Sequence, residues 1–430
     1  MKHLHFINNL RKKETLQHTA IVFILRFSGL ILAYFLNIFI ANSYGKEVYG
    51  NFVTALTFLE ILTVFASLGL TELVIKLTAD IDYSKNGNPV NTYFKKSILL
   101  VFFNSIFFSI LFFLCSRRIA IHVFENENLI QFFETLAIFL PFYSLHLLIT
   151  SYWQGANGFV KFGLFRFVFP YLFFFIGYFV FMDIENIFLL YMVAFSSLLF
   201  FEFFFIIKKL NIRNLSEISY KYLLKKSSPM MISSIVLFSL NWSDILMIGM
   251  LKGQDEVGNY QAAFKIASLT LLIILVSNIV VAPKISEMFS QNKIAVLFSF
   301  LRKVTKYTTI LTLIISIPFL IFPGVVMNSF FGEAFKVSGP ILIILSIANI
   351  INTFFGPIAQ VMNMTKHQLA FQYITILTVL INIVLNIIFI EKYGALGCSM
   401  STLISIFTLN IVGTMFIRKT YKKSFFAFSR

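Results

Sequence analysis

The most informative ionisable side chains within the long apolar runs of this 430-residue chain are Arg26, Glu60, Asp244 and Lys265. A charge at the centre of a membrane helix costs about 2.5–3.5 kcal/mol by insertion scales, so such a residue usually faces an interior cavity and binds something. Arg26 falls about a third of the way into the first run, and Lys265 one to two turns into the eighth. Glu60 lies in the second run and Asp244 in the seventh. Arg26 and Lys265 are the candidate substrate-binding charges of a central cavity, and Glu60 and Asp244 are candidates for ion coupling or gating. The bland reading for each is a structural ion pair or a helix-end residue. Glu72 and Glu202 lie nearer to helix ends and can reach water by snorkelling.

Amides form a second polar layer: Asn37, Asn104, Asn241, Asn278, Asn349, Asn352, Asn382 and Asn386. Their default role in lipid is interhelical hydrogen bonding, worth about 0.6 kcal/mol. Asn37 and Asn241 also qualify as sugar contacts. Trp242, beside Asn241 and Asp244, is a cavity candidate, whereas Trp153 fits a membrane-interface position. Pro141, Pro170, Pro318 and Pro357 fall within apolar runs, where each frees a carbonyl and can kink its helix. No catalytic site is assigned. The phosphate loop G-x4-G-K-[ST] is missing, the six histidines are scattered, and no Cys/His cluster has metal spacing. Neither a cofactor nor a metal is expected.

The elements that must carry these groups follow from composition. The chain is 58% hydrophobic and 13% charged, against about 25% charged for a soluble domain. That excludes a soluble enzyme, a disordered protein and a nucleic-acid-binding domain. Runs of spanning length recur near 19–41, 52–75, 97–115, 131–150, 163–182, 186–207, 229–251, 260–282, 305–326, 338–361, 368–390 and 395–417. They are too long, and alternate too little, for barrel strands. The expected fold is an all-α polytopic membrane protein with twelve transmembrane helices in two six-helix lobes around a central cavity. The expected division is an N-terminal lobe at 1–207, a basic linker at 208–228, a C-terminal lobe at 229–417 and a basic tail at 418–430. Residues 1–18 are basic but lack the compact apolar core and cleavage site of a signal peptide. Cys115 and Cys398 are expected as free thiols, a single bridge being the alternative.

The net charge of +16 has a topological origin. With twelve spans, the side holding both termini receives 27 Lys and Arg and the opposite side 6. Such a bias puts both termini in the cytoplasm and leaves no need for a nucleic-acid partner. Residues 45–52 (GKEVYGNF) and 253–260 (GQDEVGNY) share the pattern G-x4-G-N-aromatic at an offset of 208 residues. Ala55 and Ala263, and Lys76 and Lys284, match at the same offset. Each copy sits between the first and second helix of a half, which defines a parallel pseudo-repeat.

The strings SYGKEVYGNF, LGLTELVIKLTAD, SDILMIGMLKGQDEVGNYQAAFKI and NIVLNIIFIEKYGALGCSMSTLIS resemble oligosaccharide flippases of the Wzx (O-antigen) type. These belong to the multidrug/oligosaccharidyl-lipid/polysaccharide (MOP) exporter superfamily. The resemblance covers nearly the whole chain, through loose motifs. It implies two six-helix bundles around a cationic cavity. It also implies an undecaprenyl-pyrophosphate-linked oligosaccharide, an O-antigen or capsule repeat unit, flipped to the outer leaflet of a bacterial inner membrane. A glycan polymerase and a chain-length regulator would be partners, alongside membrane lipids. Arg26 and Lys265 match the family's cationic positions in the first and eighth helices and would pair with pyrophosphate, Arg through its fork and Lys as a point charge. A cation-coupled drug antiporter of the same superfamily is the alternative, weakened because the first helix has no acid. A membrane-embedded glycan polymerase or ligase is disfavoured by the short outer connections.

Overall fold

The computed structural model describes residues 2–79, 89–181, 186–207 and 219–426. Among them there are helices and turns but no strand. In chain order the helices are α1 (Lys2–Ser67), α2 (Leu70–Ala79), α3 (Pro89–His122), α4 (Asn128–Gly155) and α5 (Phe159–Gly163). A π-helical turn (Leu164–Val168) leads into α6 (Phe169–Val180), followed by α7 (Ile187–Ile207) and α8 (Tyr220–Lys252). Then come α9 (Gln254–Ser268), α10 (Leu271–Ser290), α11 (Ile294–Ile321), α12 (Pro323–Phe331), a 3-10 turn (Glu333–Ser338), α13 (Gly339–Phe355), α14 (Ile358–Met364) and α15 (Gln368–Tyr421). Eight described helical segments are long and apolar enough to cross a membrane, nine if the bent pair α9–α10 counts as one span. Two of the eight are double: α1 breaks at Gly45 and α15 at Gly394. Of the basic segment 208–228, residues 208–218 lie outside the described residues, and Tyr220 onward forms the first turns of α8.

Contacts divide the chain into two units. One comprises residues 1–39 and 55–237, the other residues 40–54 and 238–430. The first unit packs α2, α3, α4, α6 and α7 around Leu70, Phe94, Leu148, Leu198 and their neighbours. The second is centred on Ile285, Leu301, Val361 and Ile417.

The internal repeat is visible in the second unit. Gly45 has φ 82°, ψ 179° and Gly253 has φ 84°, ψ 178°. This is a backbone region essentially reserved for glycine, and the two residues are the first of the two repeat copies. The helices they open then cross. A Cβ on Gly50 would collide with the carbonyl of Gln254, and a Cβ on Gly258 with the carbonyl of Lys46. Lys46 and Gln254 are themselves separated by the repeat offset, so the contact is reciprocal. Around the crossing, Thr54 Oγ1 donates to Gln254 Oε1 at 2.7 Å, and Tyr49 is fully buried against Phe331 and Phe335. The carboxylate of Glu256 accepts the backbone N–H of Ala395 at 2.8 Å, just past the Gly394 break.

Each unit also contains a broken helix whose freed carbonyls are met by an asparagine. In the first, α1 ends at Ser67 and the chain turns through Leu68 and Gly69, both at positive φ. Asn104 Nδ2 from α3 donates to the carbonyls of Phe65 and Ala66, each at 2.9 Å. In the second, α9 and α10 meet at 47°. Asn349 Nδ2 from α13 donates to the carbonyl of Ala267 at 2.9 Å and to Thr270 Oγ1 at 3.0 Å. In lipid such carbonyls have no water to bind, so a side-chain donor is what makes the break tolerable. Both cysteines are free.

Candidate functional site

The polar groups gather into two clusters, one within each unit. That of the first unit is organised by the π turn. Pro170 has no N–H for the carbonyl of Arg166 four residues earlier, and its ring opposes a regular helix there. The backbone widens instead, and the N–H of Phe169 reaches the carbonyl of Leu164. Such π turns are frequent at functional sites. This one carries Arg166, half-buried, into the helical unit. Tyr143 on α4, Tyr171 on α6 and Tyr191 on α7 each lie in the field of Arg166 and of Glu60.

Arg26 is brought to the same turn. Gly29 lies so close to Phe167 that any Cβ would strike it, and Gly163 is pressed equally closely against Leu25. The first span therefore lies tight on residues 163–167. One turn before Gly29, the Arg26 guanidinium sits 5.8 Å from the centre of the Phe167 ring, with the side chain exposed. Glu60 is exposed as well. Asn37 is buried and donates to the carbonyl of Ala33 within its own helix at 2.6 Å.

Deeper in this unit, His146 of α4 and Glu202 of α7 form an ion pair, Nδ1 to Oε1 at 2.9 Å, with both side chains wholly inaccessible. Snorkelling of Glu202 to water does not occur, because its helix face turns inward onto α4. Trp153 is also buried, against Phe165.

The second unit's cluster is built around Asp244 on α8. Its Oδ1 accepts Asn386 Nδ2 at 2.8 Å. Its Oδ2 accepts the Tyr260 hydroxyl at 2.7 Å and Thr402 Oγ1 at 2.9 Å. Asn382 Oδ1 accepts both Asn386 Nδ2 and Ser243 Oγ, each at 3.2 Å. Three donors thus converge on this buried carboxyl, and among the described residues Asn386 Oδ1 beside it has no hydrogen-bond partner. Carboxylate, amide and hydroxyl oxygens are the donors a hard cation takes. Lys265 is half-buried near the end of α9, the helix that also supplies Tyr260, and its carbonyl accepts Ser268 Oγ. Trp242 is buried two residues before Asp244. Asn241 lies on α8, but its side chain falls outside the described residues. Elsewhere in this unit, Asn278, Asn352, Thr308 and Asn410 together with apolar residues line a cavity of about 120 Å³.

The structure thus places Arg26 and Glu60 in the first unit, and Asp244, Trp242 and Lys265 in the second. Arg166, the tyrosines around it and His146 were not among the residues singled out by sequence, and Glu202 was read as a helix-end residue. The available signal was an arginine four residues before a proline in the apolar stretch FGLFRFVFP. It was masked because Arg166 lies only one turn inside the start of the fifth apolar run, where a basic residue reads as a loop charge.

Helices of this length and apolarity define a polytopic membrane protein. The chain belongs to the polysaccharide biosynthesis protein family, whose description matches residues 15–289, and the MatE family matches residues 229–388. It is 25% identical over 181 residues to the probable low-salt glycan biosynthesis flippase Agl15 of Haloferax volcanii. That alignment covers 42% of this chain and only 38% of the relative's length. Its fold is similar to that of the lipid II flippase MurJ in an inward closed conformation. The TM-score is 0.72 at 17% identity, over 95% of this chain and 88% of that one. It is also similar to a MOP superfamily transporter from Pyrococcus furiosus, with a TM-score of 0.61 at 14% identity, over 94% and 95% of the two chains. The fold is therefore that of the MOP superfamily, whose members here are transporters and flippases.

Proposed function

We propose that this protein flips an undecaprenyl-pyrophosphate-linked oligosaccharide, an O-antigen or capsule repeat unit, from the cytoplasmic to the outer leaflet of a bacterial inner membrane by alternating access. The observation that carries the reading is the presence of intramembrane cations, Arg26 and Arg166 in one unit and Lys265 in the other, in a member of a polysaccharide biosynthesis family. Arg26 and Lys265 hold the pyrophosphate and offset its desolvation while the prenyl tail stays in lipid. Asn37, Asn241 and Trp242 contact sugar. Glu60 and Asp244 serve ion coupling or gating. Both termini lie in the cytoplasm, so an anionic headgroup leaving a negative interior gains about 2.3 kcal/mol per charge per 100 mV. A glycan polymerase and a chain-length regulator act downstream.

The test is complementation of a flippase deletion. Arg26→Ala and Lys265→Ala should each abolish export of the lipid-linked glycan at wild-type protein levels, with the glycan accumulating on the cytoplasmic face. Full complementation by both variants at native expression removes them from the site.

The second reading, a cation-coupled drug antiporter, draws on the MatE match and on the oxygen donors around Asp244. It requires Asp244 and leaves Arg26 dispensable, so the Arg26→Ala strain separates the two.

A further inference from the structure

The pair formed by His146 and Glu202 is not used by the proposed headgroup contacts. Both side chains are wholly inaccessible, and their only polar contact is the 2.9 Å approach of Nδ1 to Oε1. None of their four nitrogen and oxygen atoms has a hydrogen-bond partner of good geometry among the described residues. A purely structural buried ion pair needs further hydrogen bonds to saturate its remaining lone pairs and protons. This one lacks them.

Charge counting then restricts what the pair can hold. With one proton between them, as imidazolium and carboxylate or as imidazole and carboxylic acid, the pair is neutral. Removing that proton leaves a net charge of −1, and adding another leaves +1. Arg166, on the π turn, acts electrostatically on Glu202. The other titratable groups around them are Tyr143, Tyr171, Tyr191 and Glu60, which share the field of Arg166. Three charged residues of α2 and α3 are placed as follows. Glu72 of α2 accepts Thr71 Oγ1, Lys76 is exposed, and Lys96 of α3 lies over the Tyr220 ring. Arg166 is thus the cation that responds to the state of the pair. A bare guanidinium favours the −1 state. A guanidinium neutralised by an anion favours the neutral, protonated state.

We propose that His146 and Glu202 form a proton-binding site inside the first unit, holding one exchangeable proton whose occupancy is governed by Arg166. When an anionic group settles on Arg166, one proton passes from water to the pair; when the anion leaves, that proton returns to water. No bond other than that to the proton forms or breaks. The proton site stands independently of the substrate. Only its linkage to a phosphate-bearing ligand rests on the flippase reading.

Infrared pH-difference spectroscopy on the purified full-length protein tests the site without substrate. Wild type should show a titrating carboxyl or imidazole band that disappears in Glu202→Gln and in His146→Gln. In Arg166→Gln the midpoint should move toward alkaline, because the carboxylate loses the field of a cation. A spectrum in which neither pair variant removes a titrating band overturns the proposal, and so does a midpoint indifferent to Arg166→Gln. If Glu202→Gln fails to accumulate, His146→Gln decides alone, because loss of the partner must abolish or displace the band. A second arm uses inorganic pyrophosphate in weakly buffered solution. Proton uptake on binding that is lost in both pair variants supports the linkage, and binding with no uptake overturns it. Failure of pyrophosphate to bind, with the infrared result intact, counts against the flippase reading and leaves the proton site standing.

Discussion

Asp244 shows what a single residue does in this interior. Its two oxygens receive three donors from Tyr260, Asn386 and Thr402, on helices that enter the unit from distant parts of the chain. The carboxylate is therefore both a coupling candidate and a tie between α8, α9 and α15. A hydrogen bond to a charged group is worth about 1.5–3 kcal/mol. Tyr260→Phe should cost that much while leaving two donors in place, and Asp244→Asn should cost more, since the amide turns an N–H toward a donor. Thermal unfolding of both variants in detergent checks the ranking; equal midpoints for wild type and Tyr260→Phe would show that the hydroxyl ties nothing. Arg26 presents the opposite case, with an exposed guanidinium flanked by the Phe167 ring. An exposed, lightly held cation has more to offer a ligand than a buried carboxyl whose oxygens already accept three hydrogen bonds. That difference is why Arg26 is placed on the substrate and Asp244 on coupling.

At the scale of elements, glycine does two separate jobs in the repeat. Gly45 and Gly253 turn the chain through a conformation other residues avoid, with nothing near the site of a Cβ. Gly50 and Gly258 are ordinary in conformation but are crossed by another backbone. Gly45→Ala should therefore cost about 1–3 kcal/mol of backbone strain and still yield folded protein. Gly50→Ala and Gly258→Ala must push two backbones apart and should cost more, by the reciprocity of the contact to a similar degree. The monodisperse fraction on size-exclusion chromatography tests this order, and tolerance of both crossing variants would refute it. The π turn is the other informative element. Pro170 was legible in the sequence, but its consequence, the rotation of Arg166 into the unit, depends on how the helix widens rather than on the proline itself.

For the whole molecule, residues 40–54 belong with the second unit although the helix that carries them begins and ends in the first. The pattern G-x4-G-N-aromatic was readable as a repeat, and its copies hold one another within that unit. Orientation is testable on the full chain with Cys115 and Cys398 replaced by serine. A cysteine at position 252 (Lys252→Cys) should react with an impermeant thiol reagent on intact cells, and one at 225 (Lys225→Cys) only after lysis; both residues are exposed. The reverse pattern would invert the topology.

By itself the sequence determined the helical membrane class, the resemblance to oligosaccharide flippases, the repeat and which span residues are ionisable. Those properties are local or additive: hydropathy over about 20 residues, charge sums and residue spacing. Only the tertiary structure decided that Asp244 accepts three hydrogen bonds, that Arg166 lies inside the first unit, and that His146 and Glu202 meet across 56 positions of chain. Which face of an apolar helix turns inward is set by packing against its neighbours, and in lipid hydropathy does not mark that face.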